Sequence, residues 1–163
     1  AVNVSSVATR IGRRGRHIPR ERALEHVAGY SIFNDGSVRD IQLRTSQWTL
    51  GKNFDGTGAF GPCFVTADSL PAGARGLRLT TRLNGTVVQD ASTDDLIFDI
   101  ATLVAEISLA LTLEPGDILV TGTPSGVGMA RSPQMFMRHG DLCEVAIEGI
   151  GTLRNPVVDE ATG

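Results

Sequence analysis

The sequence predicts a strand-rich α+β fold organised around one long helix. Three observations carry that expectation. Gly and Pro occur 19 and 7 times in 163 residues, a density of punctuation that implies many short strands joined by tight turns. A single segment, "STDDLIFDIATLVAEISLALTL", repeats apolar residues at three- and four-residue steps, the period of a long helix. The elements do not alternate as strand, helix, strand, helix, which argues against a doubly wound nucleotide-binding sheet.

Taken in order, residues 2–11 read as a strand. Residues 19–28, "PRERALEHVA", read as a short helix with Pro19 in its first turn and Ala23, Leu24, Val27 and Ala28 on its apolar side, ended by Gly29. "GYSIFN" begins as a buried strand, and "PCFVTAD" is another. In "LRLTTRLNGTVVQD", Leu77, Leu79, Thr81 and Leu83 alternate with polar residues and Asn84-Gly85 marks a hairpin turn. The long helix follows, with Ser92 or Thr93 as its cap, acidic residues in its first turn, and Pro115-Gly116 as its stop. Strands are expected at 117–122, 142–148 and 151–157.

The chain is long enough for one domain with a real core. Its hydrophobic content of 41% and charged content of 20% are those of an ordinary globular protein. A net charge of −3 gives no general attraction to nucleic acid or to an anionic membrane. The run "RRGRHIPRER" lacks interleaved aromatics and reads as a solvated basic turn. Cys63 and Cys143 form no C-x-x-C pair, so zinc and redox-motif chemistry gain no support, and both read as reduced core thiols. That usage, with no signal peptide and no long apolar run, points to a cytoplasmic location. "NVS" at 3–5 fits a glycosylation acceptor but is too short a match to carry weight.

Several motifs bear on chemistry. "GTGAFG" at 56–61 fits a dinucleotide fingerprint only as a pattern, because a strand follows it where a helix is required. "TGTPSGVG" at 121–128 reads equally as a turn and as a loop whose Thr123 hydroxyl and backbone N–H groups meet a carboxylate. His17, His26 and His139 lack metal-ligand spacing. The segments "NDGSVRDIQ" and "LGKNFD" place Asn34, Asp35, Arg39, Asp40, Gln42 and Lys52 close together in sequence. A buried Asp needs a cation or a set of donors. Asp35 offers oxygen to a hard divalent ion, and Arg39 and Lys52 suit an anionic substrate. The plain structural alternative is a local salt bridge from Arg39 to Asp35 or Asp40.

The ordered series "GY.IFND.S.RDIQ…QWTLGK.FD", "R..LNG...QD..T.DLIFDI…LTLEPGDI..TGTPSGVG" and "GD..EV.IEG.GTLRNPV" closely resembles the fumarylacetoacetate hydrolase family, including bacterial members of aromatic catabolism of the 2-hydroxyhepta-2,4-diene-1,7-dioate isomerase and acylpyruvase type. The match runs from about Gly12 to Val158. The resemblance implies a mixed β-roll around a long helix, usually a homodimer. It implies metal-dependent hydrolysis or isomerisation of 2-oxo or 1,3-dicarbonyl acids, with Mg²⁺, Mn²⁺ or Ca²⁺ as cofactor. By the same resemblance Asp35 is a metal ligand, Arg39 and Lys52 are catalytic, and Arg39, Gln42, Lys52 and Thr123 bind substrate. The chain departs from the family in one respect with chemical weight. A Glu-x-Glu pair supplies two further ligands in the family, and Val4 and Ser6 stand at those positions here. The first acidic residue is Glu21. Metal binding is then expected to be weak or absent, with Asp35 free to pair with Lys52 or Arg39 instead, and a degenerate homologue that keeps fold and dimer surface is the competing reading. The resemblance also implies that 1–163 is one catalytic-type domain without the usual N-terminal segment, which often carries a lid with a water-activating His/Glu pair.

Overall fold

The structure, a computed structural model, describes residues 5–160. Val4 lies outside the described residues. Two four-stranded sheets, each paired antiparallel throughout, form the body. The first sheet runs β3-β2-β1-β6, with β1 at Ser5–Ile11, β2 at Val27–Asn34, β3 at Ala59–Thr66 and β6 at Ile118–Val120. The second runs β5-β4-β7-β8, with β4 at Arg78–Leu83, β5 at Thr86–Ser92, β7 at Leu142–Ile147 and β8 at Gly151–Pro156. Apolar side chains from both sheets meet in one core, among them Val7, Tyr30, Ile32, Leu79, Val145 and Ile147. Each sheet buries its apolar face only by packing on another layer, and that is what joins the two.

The hairpin forms where Asn84-Gly85 places it. Asn84 and Gly85 adopt φ of 50° and 80°, the left-handed pair that matches strand twist. "GTGAFG" runs into β3, which removes the helix a dinucleotide site needs.

Three expectations about helices are corrected. Residues 20–26 form a 3-10 turn, and Val27 already opens β2, so Gly29 lies inside a strand instead of ending a helix. Gly29 is needed there for another reason: a Cβ would lie 2.1 Å from the carbonyl oxygen of Val65 on the neighbouring strand. The long helix is also shorter than its pattern. Ser92 caps only the 3-10 turn Thr93–Asp95, in a reciprocal capping box with Asp95. The chain then breaks, and the α-helix covers Ile100–Ala110. Asp99 explains the restart, because its carboxylate accepts from both the Thr102 backbone N–H at 2.8 Å and the Thr102 hydroxyl at 2.7 Å. These bonds hold the Asp99 carboxyl below the usual carboxylate range, with Arg20 adding to the effect. Ile97, counted toward the apolar stripe, is 91% exposed. The third correction is a small helix, Arg39–Gln42, in a stretch that the sequence presents only as polar. It is α1, and Ile100–Ala110 is α2.

Cys143 is buried, as expected of a core thiol, and burial pushes it up to about 11. Cys63 is exposed, a correction to its reading as a core residue. It sits on β3, the edge strand of its sheet, where residues 62–64 are all exposed. Among the described residues no helix is long and apolar enough to cross a membrane.

Candidate functional site

The polar segment after β2 folds back on itself through two backbone devices. Val38 donates its N–H to the Gly51 carbonyl at 2.8 Å, pinning the 48–52 turn against α1. A Cβ on Gly51 would sit 2.4 Å from Gln42 Cβ, so only glycine permits that approach. The return brings Lys52 onto Asp35, 17 positions earlier.

Lys52 Nζ donates to Asp35 Oδ2 and, at 3.3 Å, to the Ser37 hydroxyl. The pair is partly withdrawn from water, with Lys52 and Asp35 side chains 28% and 17% exposed. Arg39 does not take either expected local carboxylate; its Nη1 donates to Gln42 Oε1 at 2.5 Å. Gln42 is buried and holds the guanidinium from within one helical turn. Arg39 Nε is buried without a partner. Asp35 with Lys52 and Arg39 with Gln42 thus form two pairs on segments that pack together where Gly51 meets Gln42, and Ser37 joins the first pair as a member that sequence reasoning missed.

Thr123 stands in a different setting. Its hydroxyl accepts from Gln89 Nε2 at 3.0 Å, and the same amide reaches the carbonyls of Pro124 at 3.0 Å and Ser125 at 3.3 Å. Gln89 Oε1 accepts from the Thr81 hydroxyl at 2.9 Å, and Thr81 is 2.7 Å from Ser5 Oγ. Because Thr81 spends its proton on Gln89, Ser5 supplies the proton of that last bond. Arg131 adds a bond from Nε to the Gly126 carbonyl at 3.0 Å and another to the Val88 carbonyl. The loop borders an open cleft of about 580 Å³, with Thr121, Ser92, Ile97 and Phe98 also on its wall. Of the predicted site residues, Thr123 alone lies on that wall. Gln89 was missed, because its strand, TVVQDAS, carries no clean alternation to mark it as facing inward.

The donor set does not fit a three-carboxylate metal centre. Among the described residues no group of three His, Cys, Asp or Glu side chains is placed to hold an ion. Asp35, the predicted ligand, is engaged by an ammonium. Ser6 is fully buried, and its hydroxyl has no partner.

Two antiparallel sheets, few helices and this return of the 34–52 segment define a β-roll of the fumarylacetoacetate hydrolase type. Residues 6–158 match the family described as fumarylacetoacetate (FAA) hydrolase C-terminal, and the chain belongs to that family. It is 44% identical over 151 residues to the oxaloacetate tautomerase YisK of Bacillus subtilis, covering 93% of this chain and 50% of that protein. The fumarylacetoacetate hydrolase of Exiguobacterium antarcticum superposes with a TM-score of 0.93 at 42% identity, covering 98% of this chain and 57% of that one. Fumarylpyruvate hydrolase from Pseudomonas aeruginosa, in complex with Mn²⁺ and pyruvate, superposes at 0.87 and 33% identity, covering 98% and 66%. The chain spans about half the length of the curated relatives it matches. Relatives named for isomerase, hydrolase and tautomerase activities on oxo acids thus share this fold.

Proposed function

We propose that this chain carries the oxo-acid site of a fumarylacetoacetate hydrolase-family enzyme that isomerises or hydrolyses 2-oxo or 1,3-dicarbonyl acids. The observation that carries the reading is the half-buried Arg39 guanidinium, fixed by Gln42 yet left with a buried, unpartnered Nε. A buried charged donor without a partner is costly, and an arriving carboxylate supplies the missing acceptor with charge-assisted bonds.

The named side chains divide the work. Arg39 grips the carboxylate, and Gln42 orients Arg39. The Lys52 ammonium stabilises negative charge that develops on the 2-oxo oxygen as an enolate forms, an electrostatic role suited to a site partly shielded from water. Thr123, held by Gln89 on the neighbouring cleft wall, is assigned the other end of the acid by the family resemblance alone. Proton transfer between keto and enol forms asks of the site only this charge stabilisation and an acceptor near the α-carbon, and the names of the relatives point the same way. The divalent ion that the family resemblance implies would act as a Lewis acid on the oxo group. The donors described here do not fit such a centre, and the roles above do not depend on one. A homodimer is part of the same expectation and is checked by light scattering.

The test is direct assay on oxaloacetate, acylpyruvates and hydroxymuconate-type diacids, with calorimetry on the same acids. Turnover of at least one, lost in Arg39→Met, is expected. Absence of both turnover and binding for all three classes overturns the reading. The second reading, a homologue that keeps the fold without catalysis, is favoured by the Asp35–Lys52 pairing; binding without turnover would support it.

A further inference from the structure

Asp35 and Lys52 together raise a question that the oxo-acid reading leaves open: what balances the Asp35 carboxylate. The register answers part of it. Ser6 pairs with Phe33 across β1 and β2, and period-two alternation carries the face of Phe33 on to Asp35. Among the described residues of β1, the position on that face nearest Asp35 is Ser6, one diagonal step away because Ser6 itself opposes Phe33. That position holds a neutral hydroxyl, fully buried and unpartnered. Asp35 instead receives the Lys52 ammonium, with Ser37 as a further acceptor for the same nitrogen.

We infer that Lys52 takes the place of a divalent ion as the fixed cation of this site, so that the oxo acid binds without metal. The inference rests on the oxo-acid reading above. Mg²⁺ keeps near-octahedral oxygen coordination and relies on carboxylates for charge. Here it would meet one carboxylate already shared with an ammonium. Like charge at close range would oppose its entry. Asp35, Arg39 and Lys52 sum to a single positive charge, which suits one carboxylate of an oxo acid. Lys52 then meets the 2-oxo oxygen as a hydrogen-bond donor, a role an ammonium fills with its three protons.

The experiment is calorimetric titration of the chain with pyruvate and with oxaloacetate, after chelation and again with millimolar Mn²⁺, alongside titration with Mn²⁺ alone followed by electron paramagnetic resonance. Binding of the acid is expected to change less than about twofold on chelation, a shift well below the tenfold that 1.4 kcal/mol represents. Mn²⁺ alone should show no saturable site. Lys52→Met should weaken the acid by about tenfold or more, the loss of one charge-assisted bond. Val4→Glu with Ser6→Glu should create a Mn²⁺ site, provided its thermal transition stays cooperative; the wild-type titrations decide the matter if it does not. Acid binding that appears only with Mn²⁺, or one saturable Mn²⁺ per chain that Asp35→Asn abolishes, overturns this inference and leaves the oxo-acid reading standing. No binding of either acid in any condition overturns this inference, and the oxo-acid reading falls with it only when acylpyruvates and hydroxymuconate-type diacids also show neither binding nor turnover.

Discussion

The Thr123 loop and the Asp35–Lys52 segment carry the same kinds of side chain but are finished differently. Around Thr123, the Gln89 amide is used from both ends, Thr81 and Ser5 complete the relay, and Arg131 closes two more carbonyls. On the Asp35 segment, among the described residues, Arg39 Nε is buried with no partner, and so are Ser6 Oγ on β1 and Asn34 Oδ1, the latter on the opposite face beside Cys143 and Asn155. Buried polar groups in folded proteins are nearly always paired. The first region is therefore held by the protein alone, whereas the second retains donors and acceptors for something that arrives. The difference predicts that substitutions in the two regions will be read by different measurements.

Arg39 gives the largest contrast. Arg39→Met should weaken oxo-acid binding by about 100-fold, since a buried charge-assisted pair contributes roughly 3 kcal/mol. Its thermal stability should hold or rise slightly, because an orphaned buried donor is removed with it. A large stability loss with binding intact, seen by calorimetry and thermal melts together, would erase the distinction between the regions.

Gly51→Ala comes next and should damage both properties. The added Cβ at 2.4 Å from Gln42 Cβ must push the 48–52 turn off α1, an overpacking that costs about 1–3 kcal/mol. Lys52 then leaves Asp35, and Gln42 leaves Arg39. Gly36→Ala, where a Cβ would meet nothing within 4 Å, is the matched control and should leave both melting and binding close to wild type.

This dependence on Gly51 also shows why the sequence revealed the site's membership better than its pairing. Asp35, Arg39, Gln42 and Lys52 were legible as a group because their motifs lie close in sequence and in a recognisable order. The partner of Asp35 was legible only as a choice between Lys52 and Arg39, and the close approach at Gly51 is what delivers Lys52. The hairpin was legible because Asn84-Gly85 settles a turn locally. The break before α2 was hidden because the apolar period runs straight through Leu96 and Ile97, while the Asp99 side chain restarts the helix by capping Thr102. Gln89 was not legible: its strand, TVVQDAS, carries no clean alternation, and its partners lie 34 to 36 positions away on a loop.

In the first region the signature should be stability. Gln89→Leu leaves the Thr81 hydroxyl without its acceptor and the Thr123 loop without its donor, a loss of about 1–3 kcal/mol in chemical denaturation. Oxo-acid binding should fall less than with Arg39→Met, and only through a looser Thr123. Gln89→Glu separates the two ends of the amide, because it keeps an acceptor for Thr81 but presents a second acceptor to the loop carbonyls. If it is as stable as wild type, the loop is not held by the amide and the contrast fails on this side.

The smallest effect uses the cysteines as built-in reporters. Cys143 lies beneath Asn34, whose Nδ2 reaches its sulfur at 3.7 Å, and burial pushes its thiol up to about 11. At about pH 8 it stays protonated and covered, whereas Cys63 is exposed. Alkylation, which needs the thiolate, should therefore label Cys63 first and Cys143 only as the structure opens locally. If the Asp35 segment is completed by a ligand, saturating oxo acid should slow Cys143 labelling by severalfold and leave Cys63 unchanged, as followed by mass spectrometry. Equal slowing at both cysteines would point to global stabilisation by mass action. No slowing at Cys143 would mean that the acid does not close the region in which Asn34 and Arg39 keep unpaired polar atoms.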